Sequence, residues 1–343
     1  MLMRLAYVGF AVAISVPIAV LAGNAPVAVV SDMSYISPDR LIDIGGGRRL
    51  NIHCIGHGSP TVIFEAGLGD QSRAWAMVQP AVGANTQACS YDRAGLGFSD
   101  PSDRPGTSEN AVDDLHRLLA AASIKPPYIL VGHSLGGMYV RLYADYYRSE
   151  VVGLVLVDSV SEEQGPRFFA LDPPNKKLNH DYVESVRTDC IPGAQDGFKH
   201  NPALREKCAG VPDPHFSEAF NQAYLANHSR PEYFQAVYSE FSNVFTVSSD
   251  QVRAARQSFG DMPVIAFRHA PFPLQPNETQ EMRDAKNNLW IELQDDLANL
   301  STRGADQVVP GAPHYIQFDD PDVVIAAIVR EVRSASHLLA RSP

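Results

Sequence analysis

The stretch that decides the fold is Val131-Gly132-His133-Ser134-Leu135-Gly136-Gly137. It joins an apolar run at 128–131, typical of a buried strand, to a helical pattern at 135–147. A Gly-x-Ser-x-Gly sequence between a strand and a helix is typical of a nucleophile elbow, a turn so tight that its flanking positions have no room for side chains. The pattern therefore predicts that Ser134 presents a nucleophilic hydroxyl at the carboxyl edge of a sheet.

Strand and helix patterns alternate on both sides of this turn. Two runs at 41–44 and 50–54 flank three glycines and predict a β-hairpin. The other strand patterns lie at 61–64, 88–91, 151–157, 263–267 and near 307–309, and the other helical patterns at 108–122, 277–300 and from 321 to about 334. This alternation predicts an α/β fold, with a mostly parallel, doubly wound sheet covered by helices on both faces.

The alternation stops between residues 159 and 261. This segment is richer in Pro, Asn and aromatic residues, and it carries two of the four cysteines. We interpret it as an inserted helical cap, with the core formed by 40–158 and 262–335. The aromatic residues at 216, 220 and 224 recur every four positions, as on one face of a helix, and such a stripe either packs within the cap or contacts substrate.

The composition of the whole chain narrows the classes of protein. Its 343 residues are 45% hydrophobic and carry a formal net charge of −11 at pH 7. The length and the apolar content suffice for a large buried core and exclude a wholly disordered chain. A chain this acidic does not carry the basic surface with which proteins bind phosphate groups, so we expect no nucleic-acid partner.

The first 25 residues are typical of a targeting segment. After Arg4, an uncharged apolar run extends from Leu5 to Ala22, and small residues follow it. A cleaved secretory signal peptide and a retained membrane anchor both fit this pattern, and an ordinary buried helix is the third alternative. The first two place the rest of the chain outside the cytoplasm, in the periplasm or the extracellular space, or attached there to a membrane.

The four cysteines form an even set without a Cys-x-x-Cys pair, which argues against a structural zinc site. They are Cys54, Cys89, Cys190 and Cys208. In an oxidising compartment they can form two disulfides, and three pairings are open. Four buried thiols are the alternative.

Four motifs in order resemble those of the α/β-hydrolase superfamily, and the resemblance covers about residues 40 to 335. They are Phe-Glu-Ala-Gly-Leu-Gly at 64–69, Tyr-Asp-Arg-Ala-Gly-Leu-Gly-Phe-Ser at 91–99, the elbow at 132–137, and Pro-His-Tyr-Ile at 313–316. The resemblance implies that backbone N–H groups of Leu68 and Leu135 form an oxyanion hole. Many members have His-Gly in the first motif, where this chain has Glu-Ala-Gly at 65–67.

The resemblance also bears on Glu65 and on the cysteines. A buried carboxylate beside an oxyanion hole is unfavourable unless it is paired, so we expect Glu65 to point away and to pair with a cation such as Arg93. In the sheet order of the family, the strands that carry Cys54 and Cys89 are neighbours, which favours a bridge between them. The other two cysteines would then pair within the cap.

A serine hydroxyl becomes an effective nucleophile when a neighbouring imidazole accepts its proton. Of the eleven histidines, His314 lies in the late motif, and the family's chain order of serine, acid and histidine implies that it is the base. His269, after the strand that follows the cap, is the rival. His133 adjoins Ser134 in the elbow, and we expect it to point away and to pack.

The acid of the triad has several candidates. The family usually places it after the strand that follows the cap, where this chain has no carboxylate before residue 278. Asp158 ends the strand at 151–157, a location that some members use instead, and from there it would hydrogen-bond the distal nitrogen of His314. Alternatively, Asp158 has only a structural role and caps the first turn of the inserted segment that begins at residue 159. The other candidates for the acid are Glu278, Asp284 and Asp306.

Together these residues predict a serine hydrolase that cleaves carboxylic esters through an acyl-enzyme. A serine nucleophile argues against the haloalkane dehalogenase and epoxide hydrolase branches of the superfamily. We expect no cofactor and no metal, and a small-molecule ester with an apolar moiety as substrate, because the cap is rich in aromatic residues. A lipase, lactonase, amidase, carbon–carbon hydrolase, acyltransferase or cofactor-free perhydrolase would use the same triad, and a non-catalytic binding module is the alternative from another class.

Overall fold

The computed structural model describes residues 33–276 and 278–339, so the predicted signal peptide or anchor at 1–25 lies outside the described residues. The structure is built on one eight-stranded sheet in the order β1-β2-β4-β3-β5-β6-β7-β8. The strands are β1 (Arg40–Asp43), β2 (Arg49–Ile55), β3 (Thr61–Glu65), β4 (Ala88–Tyr91), β5 (Tyr128–His133), β6 (Val151–Val157), β7 (Val264–Arg268) and β8 (Gly304–Val308).

Helices flank this sheet, which confirms the predicted α/β fold. The helices are α1 (Gln79–Gly83), α2 (Ser108–Ala121), α3 (Leu135–Tyr146), α4 (Gln164–Leu171), α5 (Pro173–Ser185), α6 (Ile191–Gln195), α7 (Pro202–Ala209), α8 (Glu218–Asn227), α9 (Pro231–Val244), α10 (Val247–Ala255), α11 (Gln280–Ala298), α12 (Ile316–Asp319) and α13 (Pro321–Leu339). Short 3₁₀ turns occur at Met33–Tyr35, Ser72–Trp75 and Arg148–Glu150, and a π-helical turn at Val186–Cys190 joins α5 to α6.

The sheet is antiparallel at one edge and parallel elsewhere. The predicted hairpin is confirmed by β1 and β2, which pair Leu41 with Asn51, and β2 also runs antiparallel to β4. Every residue of β3 and β5 is buried, because helices cover both faces of the sheet. The carboxyl ends of β3, β5, β6, β7 and β8 meet at one edge, so the residues that follow them gather there.

The turn between β5 and α3 has the crowding that the elbow sequence predicts. A Cβ atom on Gly132 would lie 2.6 Å from Gly136 O, and one on Gly136 would lie 2.5 Å from Glu65 O. Ser134 has φ of 52° and ψ of −120°, a strained backbone for a residue with a side chain. The turn therefore fixes Ser134 tightly between strand and helix.

The chain forms helices α4 to α10 between β6 and β7. Helix α8 begins after Ser217, whose hydroxyl accepts the N–H of Phe220 at 3.3 Å. Helix α9 buries Tyr233 and Val237 on one face, as their spacing predicts, and both belong to the same hydrophobic cluster as Leu68 of the core. The apolar face of α9 therefore attaches this segment to the core.

Both predicted disulfides form. Cys54 and Cys89 lie opposite each other on β2 and β4, with their Cα atoms 4.1 Å apart, and Cys190, the last residue of the π-helical turn, bonds to Cys208 of α7. Disulfides are typical of proteins that fold in an oxidising compartment. Within residues 33–276 and 278–339, no helix combines the length and the hydropathy that a membrane span requires.

Helix boundaries differ from expectation by more than two residues at two places. Helix α11 begins at Gln280 rather than at 277, because Thr279 Oγ1 accepts the N–H of Met282 and caps the helix. Residue 277 itself lies outside the described residues. Helix α13 continues past 334 to Leu339. The short helices α1 and α12 were not predicted, because four or five residues are too few to show a helical period.

Candidate active site

The candidate nucleophile lies at the carboxyl edge of the sheet. Its backbone N–H donates to Val157 O at 3.0 Å, and its carbonyl accepts the N–H groups of Gly137 and Val160, both at 3.0 Å. These bonds hold Ser134 between the ends of two neighbouring strands, β5 and β6. The residue is fully buried, and its Oγ has no hydrogen-bond partner among the described residues.

The candidate acid follows β6, the neighbour of the nucleophile's strand. Asp158 Oδ2 accepts the Nδ1–H of His314 at 2.5 Å. Burial raises the pKa of Asp158, but the charge and the hydrogen bonds of His269 and His314 outweigh burial and hold the pKa well below its ordinary value. Asp158 is therefore ionised at neutral pH, and its two oxygens can only accept hydrogen bonds.

The candidate base, His314, lies between β8 and α12. Its Nδ1 carries a proton because Asp158 can only accept, so Nε2 is the basic nitrogen of the neutral ring. His133 of the elbow fixes the same loop: its Nε2–H donates to His314 O at 3.1 Å, and the two ring centroids are 4.6 Å apart. Burial lowers the pKa of His133 to about 3, so this second ring stays neutral.

A hydrogen bond between Ser134 and His314 is not formed in this structure, since Ser134 Oγ has no partner among the residues described. The two residues are nevertheless linked through His133, which precedes one in the chain and bonds to the other. In ligand-free hydrolases this contact is often long, and it tightens in the substrate complex. The structure thus brings an oriented His314–Asp158 pair beside the elbow without closing the contact to the hydroxyl.

The other candidates for the acid lie in ion pairs of their own. The distances are 2.9 Å from Glu278 to Lys286, 3.3 Å from Asp284 to Arg283, and 2.5 Å from Asp306 to Arg268. The alternative role of Asp158 as a helix cap is wrong, because its oxygens bind two imidazoles and α4 begins six residues later, at Gln164.

The contact between Asp158 and His269 was missed by sequence reasoning. His269 directly follows β7, and Asp158 Oδ1 accepts its backbone N–H at 2.9 Å and its Nδ1–H at 2.8 Å. The rival for the base is therefore bound to the same carboxylate as His314, on the other oxygen. The sequence signal for this contact is a histidine directly after β7, where the family usually has its acid.

The loop that carries Leu68 is held by a network of buried charges. As expected, Glu65 pairs with Arg93, with 2.7 Å between Oε1 and Nη1. Arg93 also donates to two carbonyl groups of the loop, at 2.8 and 2.6 Å, and pairs with Glu240 of α9 at 2.6 Å. Glu240 Oε2 in turn accepts the N–H of Gly69 at 2.9 Å. The network therefore fixes the loop from the core and from α9 at once.

Burial and charge oppose each other within this network. Burial raises the pKa of Glu65, and the charge of Arg93 acts against that rise. Burial also disfavours the charged form of Arg93, but Glu240 and Glu65 hold its pKa well above the ordinary value. Arg93 is therefore a permanent cation beneath the oxyanion loop.

The predicted oxyanion donors lie close to the elbow. Strand β3 pairs with β5 so that Glu65 faces Gly132, and the loop with Leu68 continues from there over the start of α3. Leu135 is the first residue of α3, so its N–H belongs to the turn that has no acceptor within the helix. The helix dipole also favours negative charge at this end.

Residues of α9 cover the oxyanion loop, and α8 packs on the 3₁₀ turn that follows the loop. A Cβ atom on Gly69 would lie 3.0 Å from a methyl carbon of Val237 and 3.3 Å from Tyr233 Oη. The guanidinium carbon of Arg73 lies 3.2 Å from the centroid of the Tyr224 ring. An aromatic and an aliphatic side chain of α9 therefore pack over the loop, while Tyr224 of α8 packs on Arg73 in the next turn.

Two further histidines have structural partners. His53 Nδ1 lies 2.9 Å from Asp39, and His215 Nδ1 lies 2.7 Å from Asp213. In the described part of the chain, no three His, Cys, Asp or Glu side chains are grouped so that they could hold a metal ion.

Several known proteins resemble this chain. The profile of the alpha/beta hydrolase family matches residues 53–327. YqjL of Bacillus subtilis (strain 168) is 25% identical over 276 residues, which cover 80% of this chain and 85% of YqjL. The "Probable transporter efuK" of Hormonema carpetanum is 36% identical over 307 residues, which cover 84% of this chain and 42% of that protein. The structure of the epoxide hydrolase CorEH matches with a TM-score of 0.64 and 17% identity, over 86% of this chain and 98% of CorEH.

The family match includes every element that builds the site. Residues 53–327 contain the oxyanion loop, the elbow, Asp158 and His314. The likeness to CorEH, at its low sequence identity, shows the same fold. By sequence and by architecture, the chain belongs to the alpha/beta hydrolase family.

Proposed function

We propose that this protein is a serine hydrolase that cleaves carboxylic esters through an acyl-enzyme on Ser134, with His314 as general base and Asp158 as its orienting acid. The observation that carries the proposal is the 2.5 Å hydrogen bond between Asp158 and His314, beside the elbow. An imidazole whose Nδ1–H is bound to a carboxylate presents a basic Nε2, and the carboxylate stabilises the imidazolium that forms. A serine nucleophile requires a base with both properties.

In the acylation step, His314 Nε2 takes the proton of Ser134 while Oγ attacks the ester carbonyl carbon. Negative charge develops on the carbonyl oxygen, and the N–H groups of Leu68 and Leu135 stabilise it. The tetrahedral intermediate collapses as His314 gives its proton to the leaving alcohol, and the acyl group stays on Ser134. A water molecule that loses its proton to His314 then attacks the acyl carbon, and the acid leaves as His314 returns the proton to Ser134 Oγ.

The surroundings of the oxyanion loop favour a substrate with an apolar moiety. Leu68 lies in the loop itself, and Tyr233 and Val237 of α9 pack against Gly69. Apolar side chains around a reacting group favour acyl or alcohol groups that gain free energy by leaving water. Small esters with such a moiety are therefore the proposed substrates.

The proposal includes an exported location for the hydrolase. The two disulfides support it, because disulfides persist in the periplasm and the extracellular space. The N-terminal segment would serve either as a cleaved signal peptide or as an anchor with the catalytic domain outside the cytoplasm. Cell fractionation and N-terminal sequencing of the mature protein test this part: cytosolic protein with reduced cysteines would contradict it.

A fluorophosphonate probe tests the proposed chemistry, because it reacts with serine hydroxyls that a neighbouring base activates. We expect labelling of the wild type, no labelling of Ser134→Ala, and unchanged labelling of Ser242→Ala, which removes an exposed serine of α9. Turnover of p-nitrophenyl esters of increasing acyl length should fall at least about 10⁴-fold in Ser134→Ala. A folded wild type that neither reacts nor hydrolyses any ester would favour a binding module instead.

A further inference from the structure

Asp158 carries a second imidazole that the triad chemistry does not require. Strands β6 and β7 are parallel neighbours, with Val157 opposite Phe267, so the residues that follow them emerge side by side. His269 Nδ1 lies 2.8 Å from Oδ1 and 3.0 Å from Oδ2 of Asp158, and its backbone N–H donates to Oδ1 at 2.9 Å. Oδ1 is therefore occupied by His269, while Oδ2 faces His314.

The surroundings of His269 give it little other reason to be a histidine. Its ring is buried, with centroids 4.3 Å from that of Phe272 and 5.3 Å from that of Trp290. Its Nε2 is buried and has no hydrogen-bond partner among the described residues, which is unfavourable for a polar atom. A leucine or phenylalanine would fill this space without that cost. The bond from Nδ1 to Asp158 is the favourable contact that an apolar side chain would not supply.

We propose that His269 is a positioning residue of the reaction: it holds Asp158 in place and sets how strongly this carboxylate stabilises the protonated form of His314. This inference rests on the proposed function, since the proton concerned is the one that His314 takes from Ser134. A carboxylate with two donors on Oδ1 is held against rotation away from His314, and its negative charge is partly neutralised. Both effects reach the reacting atoms through His314.

Loss of the His269 donor has two separable consequences. The carboxylate keeps only the backbone N–H of residue 269 as a donor on Oδ1 and is held less firmly, which lowers kcat. Its charge is also less neutralised on the side away from His314, so the imidazole keeps its proton to higher pH and the acidic limb of the kcat/KM profile moves up. The other titratable groups near His314, namely His133 of the elbow and Asp70 of the oxyanion loop, are unchanged in such a variant.

The matched pair His269→Asn and His269→Leu tests the proposal. The two side chains have nearly the same shape, and both lose the ring contacts with Phe272 and Trp290, but asparagine keeps an N–H group near the position of Nδ1. We expect His269→Leu to lower kcat about 10- to 100-fold with little change in KM, and to move the acidic limb up by about one pH unit. His269→Asn should stay within a few-fold of the wild type.

Thermal unfolding of both variants shows whether each of them is folded at the temperature of the kinetic measurements. Equal losses in the two variants would show that only the ring packing matters and would overturn the proposal. Wild-type kinetics in His269→Leu would overturn it as well. In both cases the proposed ester hydrolysis would stand, because it is measured on the wild type.

Proton NMR gives a readout that does not depend on activity. An imidazole N–H bound to a carboxylate resonates at low field, so the wild type should show two such signals, from His269 and His314. His269→Leu should remove one signal and shift the other, and Asp158→Asn should displace both. Two coupled signals in a protein that hydrolyses no ester would support the contact and refute the proposed function, whereas a single signal that persists in His269→Leu would refute the contact.

Discussion

The two sides of the nucleophile are both held by buried ionisable groups, but the groups differ in kind. On the oxyanion side, Arg93 binds two carboxylates, Glu65 and Glu240, at 2.7 and 2.6 Å. On the acid side, Asp158 binds two imidazoles, His269 and His314, at 2.8 and 2.5 Å. A guanidinium stays charged at every working pH, whereas an imidazole changes charge near neutrality. On the oxyanion side, which only positions N–H groups, the central group is a guanidinium that keeps its charge. On the acid side, where a proton moves, the carboxylate binds imidazoles, which can gain or lose a proton.

This difference predicts that substitutions on the acid side reduce the rate, whereas substitutions on the oxyanion side reduce stability. The largest expected effect is that of Asp158→Asn, because an amide can donate to His314 Nδ1 and favours the wrong tautomer. We expect kcat for ester hydrolysis to fall about 10⁴-fold while the free energy of unfolding changes much less. Asp306→Asn, in the middle of β8 and two strands away from β6, should keep nearly full activity. Near-wild-type turnover in Asp158→Asn would remove this residue from the mechanism.

The second effect is that of Arg93→Met on the oxyanion side. This substitution keeps an aliphatic chain but leaves Glu65 and Glu240 buried without their cation, so the free energy of unfolding should fall by about 3–5 kcal/mol. Chemical denaturation measures this loss. The control is Arg104→Met, whose ion pairs with Asp113 and Asp114 are more exposed and which should cost about 1 kcal/mol or less. Equal losses in the two variants would show that the buried network has no special role.

The third effect concerns the pH dependence of stability. Glu162 is buried after β6 and paired with Arg141 and Arg256 at 2.8 and 2.5 Å. Burial raises its pKa, but the two guanidinium groups outweigh burial and lower the pKa from 4.5 to about 2. The pKa of Glu162 is lower in the folded state than in the unfolded state, so the ionised Glu162 stabilises the fold. This contribution to the free energy of unfolding is complete above about pH 4.5 and is lost as the pH falls towards 2.

Denaturant unfolding at a series of pH values tests whether stability is lost as the pH falls. The contribution of Glu162 amounts to about 3 kcal/mol if the whole shift arises on folding. The Glu162→Gln variant should therefore lose less stability than the wild type between pH 5 and pH 2. Parallel curves for the two proteins would mean that other carboxylates cause the acid sensitivity.

The smallest effect is that of Glu240→Gln, which removes one of the two carboxylates that bind Arg93. Glutamine keeps one oxygen, which can accept from Gly69 N and from Arg93 Nη2, but its NH₂ group replaces the oxygen that accepts from Arg93 Nε, so the charge and one hydrogen bond are lost. We expect a stability loss of about 1–2 kcal/mol and a change in kcat of a few-fold at most. A loss of activity as large as that of Asp158→Asn would show that the oxyanion side also has a chemical role for its charges.

The parts of the molecule that follow from local sequence were predictable. The elbow glycines, the hairpin and the strand alternation depend on neighbouring residues, and the structure confirms them. The pairing of Glu65 with Arg93 was also predictable, because a buried carboxylate needs a cation and the loop at 91–99 lies nearby. The Cys54–Cys89 bridge followed from the strand order that the resemblance implies.

The remaining contacts depend on how distant elements pack. Glu240 lies 147 residues from Arg93, and only the packing of α9 on the core brings the two together. His269 lies 111 residues from Asp158, and its contact arises because β6 and β7 end at the same edge. The contact between Ser134 and His314 depends on side-chain torsions, about which sequence carries no information. The sequence thus indicated where the site lies and which residue types form it. The contacts between residues on different strands and helices could be identified only from the structure.

The proposed covalent acyl intermediate on Ser134 can be observed by rapid mixing with a p-nitrophenyl ester, followed by acid quench and mass spectrometry of the peptides. We expect a burst of p-nitrophenol of up to one equivalent when deacylation is slower than acylation, and an acyl mass increment on the peptide that contains Ser134 and on no other. Hydrolysis with the acyl increment on a different residue, or undiminished hydrolysis by Ser134→Ala, would show that Ser134 is not the nucleophile.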